Sequence, residues 1–151
     1  MSVELPFAPV DTVIRRNAGD LRVSAGAAEE LARRIQDRGA ALAVEAAERA
    51  TEDGRKTLMA EDFTTAVEGG APRNADPEGL ELPIAPVDRI ARLDIDDTYR
   101  VSMDARVALA TILERYADRV AAAAAVLARH ADRRTVKGED VAVYFDLAEY
   151  F

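Results

Sequence analysis

The sequence predicts an all-α fold built from two tandem copies of a short–long–short helical unit. Alanine, the strongest helix former, supplies 31 of the 151 residues, and Trp is absent. One opening motif occurs twice, because ELPFAPVD at 4–11 returns as ELPIAPVD at 81–88. Prolines, serines and apolar residues then fall at matching places in both copies, and they define the three helices of the unit.

Length and composition exclude several classes of protein. A chain of 151 residues gives one medium domain or two very small ones, and it can bury a sizeable core. There is no Cys, so disulfides and thiolate sites are excluded. No apolar run of about 18 residues indicates a membrane span. The start MSVELPFAPVD lacks the basic and apolar regions of a signal peptide, so we expect a cytoplasmic protein.

The chain is acidic, and nearly all of its basic residues are arginine. The net charge is −8, and all basic residues are Arg except Lys56 and Lys137. An acidic chain that keeps Arg and avoids Lys is typical of a salt-rich cytoplasm. A high-GC genome also replaces Lys with Arg and is the alternative explanation.

The internal repeat divides the chain. The matching strings are Arg22-Val23-Ser24 with Arg100-Val101-Ser102, Arg55-Lys56-Thr57 with Arg133-Arg134-Thr135, and Glu61-Asp62 with Glu139-Asp140. The register shifts by one residue near Tyr99, which indicates an insertion there. We therefore expect repeat 1 at 1–68, a Gly/Pro-rich linker at 69–80 and repeat 2 at 81–151.

The first helix of each repeat is short. Pro9 and Pro86 suit a first helical turn, because the fixed φ of proline fits there and no backbone N–H is lost. From these starts the helix is expected to run to about Arg16 in repeat 1 and to about Leu93 in repeat 2.

The second helix is long, and its partners define the fold. Ser24 and Ser102 are suitable N-caps, and in repeat 1 the helix is expected to end near Asp53. A rod of about 45 Å cannot bury its apolar stripe against two short helices, so two crossed rods must share one core. The loop segments 22–24 and 55–58 are expected to form small strands. Each would pair the loop before one rod with the loop after the other.

The repeats together resemble the archaeal histones. The similarity rests on ELPIAPVDRI, RVSMDARVALATILE and LARHADRRTVKGEDV of repeat 2, and repeat 1 keeps the same frame with more changes. The resemblance implies two histone folds that interlock head to tail, an intrachain handshake pseudo-dimer. It also implies a nucleoid-associated protein that binds double-stranded DNA with little base specificity.

The resemblance implies a DNA surface on the paired loops and first helices. In the family a loop Arg enters the minor groove and acts with a loop Thr, which matches Arg22 with Thr57 and Arg100 with Thr135. The resemblance also assigns DNA contacts to further basic residues of the loops and to an arginine of the first helix. That arginine is Arg89 in repeat 2, and repeat 1 has Thr12 at the same position. The candidate DNA-binding residues are Arg15, Arg16, Arg22, Lys56, Thr57, Arg89, Arg92, Arg100, Arg134, Thr135 and Lys137.

Two further sets follow from the resemblance. The pairs Arg55–Asp62 and Arg133–Asp140 match structural clamps between a loop and the third helix. A docking face for a second chain matches Leu127, His130 and Asp140 in repeat 2. Repeat 1 has Arg49 and Glu52 where that face needs Leu and His. We therefore expect self-association through repeat 2 only, giving dimers of the chain at most.

The acidic charge keeps other functions open. A DNA packager is ordinarily basic, whereas Asp94, Asp96 and Asp97 lie in the first loop of repeat 2. A histone-fold transcription regulator acting at selected sites or through protein partners is therefore the alternative, and a dimerisation module without DNA contact is a third possibility. His130 is the only His, and there is no Gly-rich phosphate loop. We expect no enzyme, metal site, cofactor or small-molecule substrate.

Overall fold

The computed structural model describes residues 2–64 and 77–151. Positions 69–76 of the expected linker and the last residues of repeat 1, 65–68, lie outside the described residues. The elements are α1 (Phe7–Ala18), β1 (Arg22–Val23), α2 (Ala25–Glu52), β2 (Thr57–Leu58), α3 (Ala60–Thr64), a 3-10 turn (Pro77–Gly79), α4 (Ile84–Ala91), β3 (Arg100–Val101), α5 (Met103–His130), β4 (Thr135–Val136) and α6 (Gly138–Ala148). The all-helical prediction is confirmed, since each of the four strands has only two residues.

The two long helices begin at the predicted caps. The hydroxyl of Ser24 accepts a hydrogen bond from the N–H of Ala27, and that of Ser102 accepts one from Ala105, both at 3.1 Å. Each cap satisfies a backbone donor that the first helical turn leaves without a partner. Both helices have 28 residues, and α2 ends at Glu52, one residue before the expected Asp53.

The first helices differ in length, and neither ends where the sequence predicted. Helix α1 continues to Ala18 rather than Arg16 and stops at Gly19, whose φ of 61° lies in the left-handed region that glycine tolerates. Helix α4 ends at Ala91 rather than Leu93. Its continuation is a loop in which Asp96 accepts hydrogen bonds from the N–H groups of Thr98 and Tyr99. These turn contacts compete with another helical turn.

The repeats interlock head to tail. Short helices α1 and α3 pack on α5 of the other repeat, and α4 and α6 pack on α2. Two parallel ladders, β1–β4 and β2–β3, join the loop before one long helix to the loop after the other. This is the predicted handshake within one chain. The ladders lie at opposite ends of the paired long helices, about 40 Å apart by helix length.

One core runs through both repeats. Its fully buried side chains come from both halves of the chain and include Ile14, Leu31, Phe63, Ile90 and Leu109. Helix α2 is packed tightly against its neighbours at Gly39, where a Cβ atom would lie 2.7 Å from Ile90 Cγ2 and 2.9 Å from Leu113 Cδ1. Neither repeat has a core of its own, so the two ladders are held at fixed positions by shared packing. Across residues 2–64 and 77–151, no helix has the length and apolarity that crossing a membrane requires.

Candidate nucleic-acid interface

The parallel ladders bring the predicted loop residues together, but in a different combination. Arg22 is in register with Thr135, and Thr57 is in register with Arg100. The sequence grouping of Arg22 with Thr57 and of Arg100 with Thr135 is therefore wrong. Each Arg–Thr pair is made between repeats, because the handshake sets the loop before one long helix beside the loop after the other.

One ladder carries exposed basic groups, and we call it the basic loop end (Arg22, Arg134, Thr135 and Lys137). The N–H of Arg22 donates to the carbonyl of Arg134 at 2.9 Å, which fixes the two backbones side by side. The side chains of Arg22, Arg134 and Lys137 are exposed, and none of the described salt bridges involves them. Three cations are thus available to a ligand outside the protein.

The other ladder is electrostatically different, and we call it the acidic loop end (Lys56, Thr57 and Arg100 with the carboxylates of Asp94, Asp96 and Asp97). Its backbone contact matches that of the basic loop end, since the N–H of Arg100 donates to the carbonyl of Lys56 at 2.8 Å. The ammonium of Lys56 lies 4.5 Å from the centre of the Tyr99 ring. The hydrogen bonds that Asp96 accepts from Thr98, together with the charge of Lys56, lower the pKa of Asp96, so it stays ionised beside that ammonium.

Three of the predicted first-helix arginines have carboxylate partners close by. Arg15 donates to Asp11 at 2.6 Å, Arg92 donates to Asp88 at 3.1 Å, and Arg89 lies 3.6 Å from a carboxylate oxygen of Glu4. All three arginine side chains remain at least 40% exposed. These are surface pairs of the kind that contributes little stability, so a phosphate can compete for the guanidinium groups.

Arg16 is placed differently from the other first-helix arginines. Its guanidinium donates to both oxygens of Asp118, at 2.9 and 2.8 Å, and to Glu114 at 3.1 Å. The hydrogen bonds to Asp118 raise the pKa of Arg16, against a smaller opposing effect of burial. Arg16 therefore joins α1 to α5 of the other repeat, and we remove it from the predicted DNA contacts.

Each predicted clamp pair is in hydrogen-bonding contact. Arg55 donates to the two carboxylate oxygens of Asp62 at 2.9 and 3.0 Å, and Asp62 also accepts the N–H of Met59 at 2.7 Å. Burial by itself would raise the pKa of Asp62, but the hydrogen bonds from Arg55 and Met59 outweigh it, and the pKa is lowered. Asp62 is 3% exposed, so its charge is held inside the fold.

The equivalent carboxylate of repeat 2 has the same surroundings. Asp140 is 2% exposed, is bound by Arg133, and accepts the N–H of Lys137 at 2.8 Å. The sequence placed Asp140 in a docking face as well. Because its side chain is enclosed by its own loop, it is not available to a second chain, and we leave it out of that face.

The remaining docking candidates occupy different surroundings. His130, at the last position of α5, is exposed, and Leu127 is half-buried. In repeat 1, Arg49 donates to the carbonyl oxygen of Asp62 at 3.3 Å, while Glu52 is exposed. The surfaces at the C-terminal ends of α5 and α2 are thus chemically distinct.

Three polar anchors between segments were not predicted from the sequence. Gln36 and Glu114 occupy aligned positions in the long helices and receive the segments before α1 and α4. The N–H of Glu4 donates to Gln36 Oε1 at 2.7 Å, and the N–H groups of Glu81 and Leu82 donate to Glu114. Arg129 donates to the carbonyl of Ala18 at 3.0 Å. The positions of Gln36 and Glu114 could have been found from the sequence, because a polar residue recurs there at the same aligned position of an otherwise apolar helix face.

Comparison with known proteins assigns this chain to a family. The model of the family described as histone-like transcription factor (CBF/NF-Y) and archaeal histone matches residues 3–67 and, a second time, 80–143. The chain belongs to this family. The second match identifies repeat 2 as a histone fold in its own right, so this member of the histone-like family carries two in tandem.

Individual relatives agree with that assignment. An archaeal histone of Thermococcus zilligii, one of the HAN1 subunits, is 56% identical over 61 residues, which are 40% of this histone-fold chain and 88% of the relative. The crystal structure of the histone from Methanopyrus kandleri superposes with a TM-score of 0.66 at 27% identity, covering 91% of this chain and 90% of the other. The first relative therefore matches about one repeat, whereas the second matches both.

Proposed function

We propose that this chain is a nucleoid-associated archaeal histone that binds double-stranded DNA with little base specificity and bends or compacts it. The observation that carries the proposal is the placing of Arg22 beside Thr135 and of Arg100 beside Thr57, with both arginines exposed. A loop Arg inserted into the minor groove, with neighbouring groups on phosphate, is a mode of binding that needs no base readout.

The spacing of the ladders suits a curved duplex. Two contact points about 40 Å apart on one rigid core span a little more than one turn of DNA, so minor-groove contacts at both points are possible on one face. The N-termini of α2 and α5 begin directly after β1 and β3, and unpaired helical N–H groups there favour phosphate. Exposed Arg15, Arg89 and Arg92 belong to the first helices and are proposed as further phosphate contacts.

The acidic surface changes the physics of binding. With a net charge of −8, long-range attraction to DNA is weak. In about 1 M salt the Debye length is only about 3 Å, so direct arginine contacts persist while distant repulsion from carboxylates is screened. We propose that the protein works in a salt-rich cytoplasm, where this screening favours the paired loops.

A double substitution at the two ladder arginines tests the DNA proposal. Binding of the full chain to two duplexes of unrelated sequence is measured by fluorescence anisotropy from dilute to multimolar KCl. We expect Arg22→Ala combined with Arg100→Ala to weaken both complexes by a similar factor and to reduce the salt slope by about 1.8, roughly 0.9 for each cation removed from the duplex. Arg38→Ala, in the middle of α2, is the matched control and keeps wild-type binding. Wild-type affinity in the double variant would assign DNA to another surface.

A regulatory role is the second candidate, and the acidic loop end favours it. Carboxylates beside one ladder oppose continuous coating of DNA, which needs both ends to bind alike. We propose this role as an alternative in which the protein acts at selected sites or through protein partners. Occupancy mapped along the chromosome separates the two: a packager covers most of the DNA, whereas a regulator gives discrete peaks.

We also propose that two chains associate through repeat 2, at Leu127 and His130. The half-buried leucine and the exposed histidine form a face that a two-fold axis can close into a pair. Sedimentation equilibrium on DNA-free protein should show a monomer–dimer equilibrium that Leu127→Arg or His130→Glu abolishes. Arg49→Ala in repeat 1 is the control and leaves the equilibrium unchanged. Species larger than a dimer would contradict the proposal.

The units 1–68 and 81–151 are proposed as repeats that depend on each other for a core. Repeat 2 expressed alone is expected to self-associate or unfold, because α5 and α6 would lose the surfaces that α1 and α2 cover. A stable monomer of residues 81–151 in sedimentation and thermal melting would refute this.

A further inference from the structure

A polar cluster crosses the interface between the two repeats, and we call it the α1–α5 cluster (Arg16, Asn17, Glu114 and Asp118). The guanidinium of Arg16 donates to Asp118 at 2.8 and 2.9 Å and to Glu114 at 3.1 Å. The side-chain amide of Asn17 donates to Asp118 at 2.7 Å. Glu114 is 7% exposed, and among the salt bridges of the described residues its carboxylate is paired with Arg16. Charge inside the fold therefore joins α1 of repeat 1 to α5 of repeat 2.

The aligned positions of the other pair of helices carry none of this charge. Counted from the opening motif and from the Ser caps, the aligned residues are Leu93 for Arg16, Gln36 for Glu114 and Ala40 for Asp118. Gln36 accepts the N–H of Glu4 at 2.7 Å, just as Glu114 accepts two backbone N–H groups of its own repeat. An amide is thus sufficient to hold the segment before the first helix. The charge of Glu114 serves the contact with Arg16.

A second contact between unlike residues lies between the two long helices. Arg38 and Tyr116 are each the fourteenth residue of their helix, and they meet each other, with the guanidinium carbon 5.9 Å from the ring centre. Two copies of one aligned position can meet only near the pseudo-two-fold axis of the handshake. A cation over an aromatic ring is attracted to it, whereas two guanidinium groups at that place would repel each other.

A handshake between two like repeats would lose both contacts. Two copies of repeat 1 would set Arg16 against the uncharged Gln36 and would bring one Arg38 against another. Two copies of repeat 2 would set Leu93 against Glu114, and a buried carboxylate that loses its cation is strongly unfavourable. Proteins reject a wrong partner in this way, by leaving charges unpaired in the wrong complex.

We propose that the α1–α5 cluster and the Arg38–Tyr116 contact select the partner in the handshake. The face of α5 that carries Glu114 and Asp118 accepts a repeat 1 and rejects a second repeat 2. The partner that fits is repeat 1 of the same chain or, by exchange, repeat 1 of a second copy. This selection is independent of DNA binding, because Arg16 is committed to α5. It keeps copies of the chain from joining through like repeats, although the two histone folds have similar shapes.

Two complementary variants of the full chain test the selection. Arg16→Glu brings three carboxylates together. Glu114→Gln with Asp118→Arg brings two guanidinium groups together, while the new glutamine still accepts backbone N–H groups, as Gln36 does. Each variant alone should melt at a lower temperature than the wild type. In an equimolar mixture, repeat 1 of each variant can pair with repeat 2 of the other, and all four repeats are then matched.

Native mass spectrometry of the mixture, with one chain isotope-labelled, measures the exchange. The mixed dimer should exceed either homodimer by about tenfold or more, because two mismatches are relieved against one tether whose effective concentration is on the order of mM. Dimers formed through the docking face of repeat 2 would include both homodimers as well, which distinguishes the two interfaces. If a variant does not fold alone, a gain of helical circular dichroism on mixing reports the same exchange.

Two further chains serve as controls. Arg15→Glu changes the neighbouring arginine, whose partner is Asp11 of its own helix, and mixing it with the Glu114→Gln/Asp118→Arg variant should give no excess of mixed dimer. Arg16→Glu combined with Glu114→Gln and Asp118→Arg in one chain should restore thermal stability without exchange. Wild-type stability of both complementary variants, or a mixture with no excess of mixed dimer, would overturn the proposal.

Discussion

The ammonium group of Lys56 lies 4.5 Å from the ring centre of Tyr99, while Arg134, at the aligned position of the other repeat, extends from the opposite ladder with no carboxylate in a salt bridge to it. Asp96 adds negative charge beside Lys56. The two loop cations that the family resemblance treats as equivalent therefore differ in what they can offer to DNA.

This difference predicts unequal effects of two matched substitutions. Arg134→Ala should reduce the salt slope of DNA binding by about 0.9, because an available phosphate contact is lost. Lys56→Ala should reduce it by less, since its charge is already shared with Asp96 and the Tyr99 ring. Fluorescence anisotropy of one duplex over a KCl series measures both slopes. Equal reductions would mean that Lys56 leaves Tyr99 when DNA binds.

The buried clamp carboxylate should matter far more to stability than its exposed neighbour. Asp140→Ala removes the partner of Arg133 and the acceptor of the Lys137 N–H, and an unmet polar group costs about 1–3 kcal/mol. Glu139→Ala is the control, because Glu139 also lies near Arg133, at 3.8 Å, but is 65% exposed. Urea unfolding of both variants gives the comparison. A loss of stability in Glu139→Ala as large as that in Asp140→Ala would contradict this account of the clamp.

Acid should weaken the clamp of repeat 1. The folded-state pKa of Asp62 is below its ordinary value, so its stabilising effect is complete above about pH 4, the unfolded pKa, and is lost as the pH falls through the folded value. Asp62→Asn cannot titrate. Its deficit in the free energy of unfolding, relative to wild type, should be largest near pH 7 and should shrink below pH 4. Unfolding by urea at pH 7, 4 and 2.5 measures this; a deficit independent of pH would assign the effect to packing.

Two glycines of the same helix should respond oppositely to alanine. A Cβ at Gly39 meets Ile90 at 2.7 Å and Leu113 at 2.9 Å, and overpacking of this kind costs about 1–3 kcal/mol, more than the roughly 1 kcal/mol gained in helix propensity. At Gly26 the nearest atom is 3.8 Å away, so Gly26→Ala should be neutral or stabilising. Thermal melts of the two variants test the close approach. A stabilised Gly39→Ala would show that the helices move apart freely.

The sequence was sufficient for features that depend on local patterns and repetition. The caps Ser24 and Ser102 and the cross-repeat ladders follow from residues that recur in a fixed order, and the structure confirms them. The lengths of the first helices did not follow, because a glycine after Ala18 and turn contacts at Asp96 decide them. Pro9 and Pro86 mark where these helices begin and carry no information about where they end.

Side-chain partners across the handshake were the least predictable part. Arg16 is a DNA candidate by its place in α1, yet its guanidinium is held by Glu114 and Asp118 of the other repeat. Pairings of this kind depend on the angle between helices that are far apart in sequence. The same reason applies to Arg129 and the Ala18 carbonyl.

Joining two unlike histone folds in one chain fixes their proportion and their order. A pair of identical separate chains has two equivalent ends, whereas this pair has the exposed carboxylates of Asp94, Asp96 and Asp97 beside only one of its two ladders. A duplex lying across it would meet a distinguishable left and right, so the complex has polarity along the DNA. A substitution in one repeat then alters one end alone, and selection can adjust that end without disturbing the other.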